Sequence, residues 1–464
     1  MMRKPDNTNP EELPSLEELI EKARHVAKAG DIEQSFDLIY GAIRFAEDTG
    51  YPQIAMLLIE TLDTFLDVNQ LEPASRAWLL NSKGLALQSL GLIEESAQAL
   101  SDMQRLGETL GEKQIIATAL MNLGTQALLV GNAELACELF NRSLPINHEI
   151  GNYRQAIQIR LNLVTAYVQI GDLDAAEAQL SIVQEVVEAW NDPHLLATFY
   201  GNVGTIKAKR GDFDNARINY QMALKNARAS DDLIAELNTI QNLGALNLDE
   251  GLPIKAMRWF NRALKITETT QSIMSQESIY SGLAMAFHQA GHLQEAAESF
   301  QKARNIAGQL GNRHAKAQYT ADLGAILLME KESKSAKPLL QEALDTFKEI
   351  GDKEWEYRVL TNMIKAHWVD GDREESMQAV EQALAALTPK SYAEKAELFG
   401  QVAQLWLGDI VELKRASYYF KRQLSQMKKL DYKKINSIKN NFNQEENLKN
   451  SIKHMIKYLK SQIE

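Results

Sequence analysis

Asparagine recurs at Asn122, Asn162, Asn202 and Asn242, 40 residues apart each time, and the register continues as Gly282, Asp322 and Asn362. One helical turn earlier stand Thr118, Gln158, Thr198, Asn238, Ser278, Gln318 and Arg358, polar and mostly uncharged. A side-chain amide both donates and accepts hydrogen bonds, so a row of amides suits the backbone of an extended peptide whatever its sequence. The same amides could instead bond one repeat to the next and fix their stacking, and the residue types fit both roles. Each lies two residues before the packing position of its own segment, a small residue in most copies (Gly124, Gly204, Gly244, Ala284 and Gly324) and Val164 or Ile364 in the others, so it turns toward a different face from that contact.

Other chemistry has less to stand on. His288 and His292 have the four-residue spacing of metal ligands, but Gly291 stands between them at a predicted turn, so they read as surface or interface histidines. Cys137, the single cysteine, follows Ala136 in a predicted packing helix and reads as a buried, inert thiol. One cysteine excludes an intramolecular disulfide framework and a cysteine zinc cluster. No phosphate-binding loop, Gly-x-Ser-x-Gly or His-Glu-x-x-His pattern occurs, and the carboxylates are scattered over solvent faces. A non-enzymatic protein without a cofactor or metal is expected. Lys207, Lys209 and Arg210 could attract an acidic ligand locally, but they read first as a solvated helix end.

These residues need elements to position them. The chain has 464 residues, more than one globular core usually holds, so several domains or one elongated array are expected. It is 45% hydrophobic with 10 Pro, which suits a largely helical protein, and its net charge of −12 argues against a general nucleic-acid binder. The start has no apolar core behind its basic residues, and no apolar run approaches the roughly 20 residues that span a bilayer. A soluble, cytoplasmic protein is expected.

The array is visible as a repeat. Glycines stand at Gly91, Gly131, Gly171, Gly211, Gly251 and Gly291, then Lys331, then Gly371. In step with them run Ala136, Ala176, Ala216, Ala256, Ala296, Ala336, Ser376 and Ala416, each followed four residues later by a large apolar side chain such as Phe140, Tyr220 or Phe260. Each unit reads as two helices. Leu195 to Arg210 runs up to Gly211, where a left-handed turn costs little, and Asp212 caps a helix that Phe213 begins. Small residues such as Gly204 and Ala216 let the paired helices approach, and the aromatic fills the space beside them. Gly111, Gly151, Gly311 and Gly351 punctuate the second helices in the same frame.

This skeleton resembles the tetratricopeptide repeat: Ala216, Tyr220, Ala223 and Leu224 match its second-helix pattern, as do Ala256, Phe260, Ala263 and Leu264. The 40-residue form is similar to the repeats of kinesin light chains, Leu-Gly-Asn spindle adaptors and the sensor arrays of bacterial regulators. The resemblance covers roughly residues 73–430. It implies an all-α, right-handed superhelical solenoid of antiparallel helix pairs, with the first helices lining a concave groove. The asparagines, which resemble those of kinesin light chains, would then form an amide ladder in that groove. A carboxylate clamp of the kind some members carry is not evident, since Met121 and Leu161 precede the asparagines. The family's common role implies a protein or peptide partner.

The ends differ from the repeats. Residues 1–14 read as disordered, and 15–70 as a bundle of a first helix pair plus an extra helix over Gln53–Val68. About nine units fill 73–430, the last degenerate. Residues 431–464 carry the apolar stripe Leu448, Ile452, Met455, Ile456, Leu459 and Ile463, a basic cap or tail. A scaffold or adaptor is the leading reading. The alternative is a sensor that changes conformation on binding a peptide or small ligand, similar to bacterial peptide-pheromone receptors but without a helix-turn-helix. Oligomeric state is not legible.

Overall fold

The computed structural model describes residues 16–48, 51–270, 273–388, 391–406 and 422. All their regular structure is helical. The chain forms two compact units, one running to Gly291 and including Gln309–Gly311, the other formed by His292–Gly308 and the residues from Asn312 onward.

The first unit opens with α1 (Leu16–Lys28), α2 (Ile32–Asp48) and α3 (Pro52–Asp63). The expected third helix stops at Asp63, short of Val68, because the Thr64 N–H closes a tighter turn onto the Thr61 carbonyl at 3.1 Å. Asp67 then caps a 3-10 turn, Val68–Gln70, by accepting from the Asn69 N–H at 3.0 Å. Leu62, Leu66 and Leu71 stay in the core across this break.

Helix pairs follow: α4 (Pro73–Ser89) with α5 (Ile93–Leu110), α6 (Lys113–Leu129) with α7 (Ala133–Glu149), and α8 (Tyr153–Ile170) with α9 (Leu173–Trp190). Next come α10 (Pro193–Lys209) with α11 (Phe213–Ala229), α12 (Leu233–Asp249) with α13 (Pro253–Thr270), and α14 (Ile273–Gln289). The second unit holds α15 (Leu293–Gln309), α16 (Arg313–Met329), α17 (Ser333–Ile350), α18 (Lys353–Asp370), α19 (Arg373–Ala386) and α20 (Tyr392–Trp406). From α4 to α19 every helix begins 20 residues after its predecessor.

The frame is enforced by contact. A Cβ added at Gly204 in α10 would lie 2.7 Å from the Tyr220 ring of α11, and one at Gly124 in α6 would lie 2.6 Å from Phe140 of α7. Only a residue without a side chain fits where the aromatic lies against the helix. Ala136, Ala176, Ala216, Ala256, Ala296 and Ala336 are wholly buried on the facing helices. Where serine replaces them the hydroxyl is also satisfied: Ser96 donates to the Gly84 carbonyl at 2.8 Å and Ser376 to that of Ile364 at 2.9 Å. Between helices, Gly131, Gly171, Gly211, Gly251, Gly291 and Gly371 all take positive φ, and Lys331 takes φ 66° at the same position. Asp212 caps α11 as its spacing predicts, accepting from the Asn215 N–H at 3.4 Å. Ala416, Phe420 and the Leu448–Ile463 stripe lie outside the described residues.

Candidate ligand groove in the first unit

Three first helices, α8, α10 and α12, carry the ladder register of the first unit side by side. Asn162, Asn202 and Asn242 line one hollow of about 620 Å³, with Gln158, Thr198 and Asn238 one turn before them. Gly201, beside Asn202, leaves the wall low at the centre, because a glycine on a helix surface exposes the backbone itself.

Each amide's bonds show how far it is committed to its neighbours. Asn202 Nδ2 donates to the Leu161 carbonyl of the preceding first helix at 2.8 Å. Asn162 Nδ2 reaches Thr125 Oγ1 at 3.4 Å, and its Oδ1 accepts from Gln158 Nε2 at 3.1 Å. Asn202 spends one of its two amide hydrogens, so its second N–H and its oxygen keep their hydrogen-bonding capacity on the wall of the hollow. All three side chains are half-buried, enough to be held and open enough to be reached. Asn122 behaves differently: it is 7% exposed, and its Nδ2 donates to Asn81 Oδ1 at 2.7 Å. That amide joins α6 to α4 and is buried between them. The ladder thus splits into a buried link at Asn122 and an accessible row from Asn162 to Asn242.

The hollow carries one charged pair. His194, at the start of α10, meets Asp232, the cap of α12, with Nδ1 and Oδ2 2.6 Å apart. The hydrogen bond that His194 donates to Asp232 holds the His194 pKa above the ordinary histidine range. Burial alone would raise the Asp232 carboxyl, but the bonds from His194 and the Ala235 N–H outweigh it and bring it below its ordinary value. The same register places Arg154 against Asp192 in the first unit and His314 against Asp352, at 2.8 Å, in the second. Sequence reasoning missed these links, although basic residues at 154, 194 and 314 and aspartates at 192, 232 and 352 share the 40-residue frame.

The remaining ladder positions, Gln318, Asp322, Arg358 and Asn362, belong to the second unit, on α16 and α18. Burial pushes the Asp322 carboxyl up to about 6, against the pull of the Arg358 guanidinium. Arg358 donates to Glu354 at 2.8 Å and lies 5.0 Å from the Trp355 ring centroid. His288 is exposed, and His292 sits 3.3 Å from Glu295. Among the described residues no three His, Cys, Asp or Glu side chains gather as a metal site. The Cys137 thiol is half-buried and raised by burial.

The tetratricopeptide repeat family model matches residues 115–181, 195–269 and 275–349. These segments are tetratricopeptide repeats. Among solved structures, a STAND signal-transduction ATPase with a tetratricopeptide repeat sensor, from Pyrococcus horikoshii, is 16% identical with a TM-score of 0.51. The match covers 75% of this chain and 52% of that one, so this chain spans about half the length of the archaeal protein. A Rap protein complexed with competence and sporulation factor is 12% identical over 75% of this chain and 99% of that one, with a TM-score of 0.49. The apo quorum sensor NprR from B. thuringiensis is 13% identical over 72% and 97%, with a TM-score of 0.46. No curated protein matches the chain in sequence. The likeness to the archaeal structure is one of fold, and it is the fold that places Asn162, Asn202 and Asn242 in line. Among the described residues no helix is long and apolar enough to cross a membrane.

Proposed function

We propose that this chain is a non-enzymatic, cytoplasmic scaffold whose tetratricopeptide repeats hold an extended segment of a protein or peptide partner in the hollow of the first unit. The observation that carries this reading is the half-buried amide row Asn162, Asn202 and Asn242, three consecutive repeats with hydrogen-bonding capacity to spare. Neighbouring helices pack about 8–10 Å apart, so three of them match an extended segment of about six residues. Amides recognise backbone, and the uncharged walls at Thr198 and Asn238 favour a segment without strong charge.

The test starts with affinity capture from a native lysate, followed by a titration of the recovered partner. Replacing Asn162, Asn202 and Asn242 by Ala removes about 0.5–1.5 kcal/mol per hydrogen bond, or roughly 1.5–4.5 kcal/mol if the losses add. Helicity survives, because Ala is the better helix former. A triple variant that melts normally and binds at full strength would sink the reading.

A second reading is a sensor whose repeats change arrangement when the segment binds, in keeping with the tetratricopeptide repeat sensor of the archaeal neighbour. The His194–Asp232 link favours it, because a contact that joins successive first helices at the edge of the hollow couples occupancy to their spacing.

A further inference from the structure

Away from the amide row, the first unit has a second hollow, of about 400 Å³, between α3, the Val68–Gln70 turn, α4 and α5. Its floor is apolar, built from Ile59, Leu79, Leu80 and Leu106. Five charged side chains stand on its walls: Asp63, Arg76, Lys83, Asp102 and Arg105. Four of them balance in pairs. Arg105 Nη2 donates to Asp102 Oδ1 at 2.6 Å, and Lys83 faces Asp63, drawing down a carboxyl that burial raises. Arg76 is left over. Its Nε is buried and has no hydrogen-bond partner among the described residues.

A guanidinium without an acceptor is costly to desolvate, and Arg76, half-buried on the wall of the hollow with no acceptor for its guanidinium among the described residues, offers its outer N–H groups to an anionic oxygen brought in. Arg76 and Lys83 lie two turns apart on α4, about 10 Å along its axis, with Leu79 and Leu80 between them. That strip matches an aliphatic chain of about eight carbons leading away from a head group at Arg76, and the volume falls in the usual range of small-ligand sites.

We propose that this hollow of the N-terminal bundle binds a small amphipathic anion, a carboxylate or similar head on Arg76 with its apolar tail over Leu79, Leu80 and Leu106. The site is separate from the amide row and stands or falls independently of it. Octanoate is the probe, with octylammonium as its charge-reversed counterpart, each titrated into the full chain by calorimetry at low salt. The wild-type chain binds octanoate and not octylammonium. Arg76→Met weakens octanoate binding by about tenfold or more, the usual effect of losing a hydrogen bond to a charged group. Arg76→Lys retains part of it, and both variants keep the wild-type melting temperature. Undiminished octanoate binding by R76M overturns the assignment. So does equal binding of the two probes, or no octanoate binding, by the wild-type chain, results that depend on no variant.

Discussion

In the first unit the ladder register holds Asn202, bonded to the helix before it and open on its other side; in the second it holds Asp322, buried enough for its carboxyl to rise to about 6. The packing register varies in size, holding Val164 and Ile364 in two repeats, but stays buried and without a polar side chain in both units. Gly204 faces Tyr220 and Gly324 faces Leu340, and an added Cβ would come within 2.7 and 2.9 Å of those side chains. Two kinds of position therefore share one 40-residue frame. Those that touch the partner helix tolerate little, because a close-packed contact leaves no free volume. Those that look away from it can exchange an amide for a carboxylate, and the backbone is unaffected. The repeat conserves geometry and leaves chemistry free.

The sharpest test converts one unit's ladder into the other's. Asp322 has a folded pKa raised from 3.8 to about 6, so its ionised form is disfavoured in the fold. Stability therefore falls as pH rises through that window and stays lower above it. Asp322→Asn stabilises the protein above pH 6, by about 3 kcal/mol at most, and has little effect below pH 4. Urea titrations at pH 4 and pH 8 check this, and an equal effect at both would break the contrast between the units.

Next in size is the shared skeleton. Ala216 in the first unit and Ala336 in the second are both wholly buried. Leucine at either overpacks the helix pair and costs about 1–3 kcal/mol, whereas Glu298→Leu, on an exposed face, is nearly silent. A denaturant titration in which Ala216→Leu is costly and Ala336→Leu is not would show that the frame differs between the units.

The smallest effect concerns the edge of the hollow. His194 has a raised pKa, so its bond to Asp232 stabilises fully below the ordinary histidine value and fades as pH rises through the folded one. Asp232 has a lowered pKa, so its share is present above the ordinary aspartate value and is lost as pH falls through the folded one. The link is strongest between those limits. His194 is half-exposed, so His194→Gln costs only about 0.5 kcal/mol at pH 5.5, and less as pH rises. Melting temperatures across that range read it, and a loss that grows toward pH 9 would contradict the assignment.

The sequence by itself determined the frame. A left-handed turn recurring every 40 residues writes glycine at Gly131, Gly171 and Gly211, and a close helix contact writes alanine at Ala136, Ala176 and Ala216, because both demands act on one residue at a time. Even the exception was marked: Lys331 occupies the glycine position and keeps the positive φ, since the helices on either side fix the backbone there. The fate of each amide was decided only in three dimensions. Asn122 and Asn202 are indistinguishable in register, yet Asn81 lies beside one and buries it, while Leu161 and Gly201 leave the other at the open wall of a hollow. The unbalanced Arg76 was equally hidden, because its surroundings come from three helices and a turn with no common period. Local conformation and pairwise contact leave a periodic trace in a chain; the balance of charge and burial in a shared space is a sum over elements and leaves none.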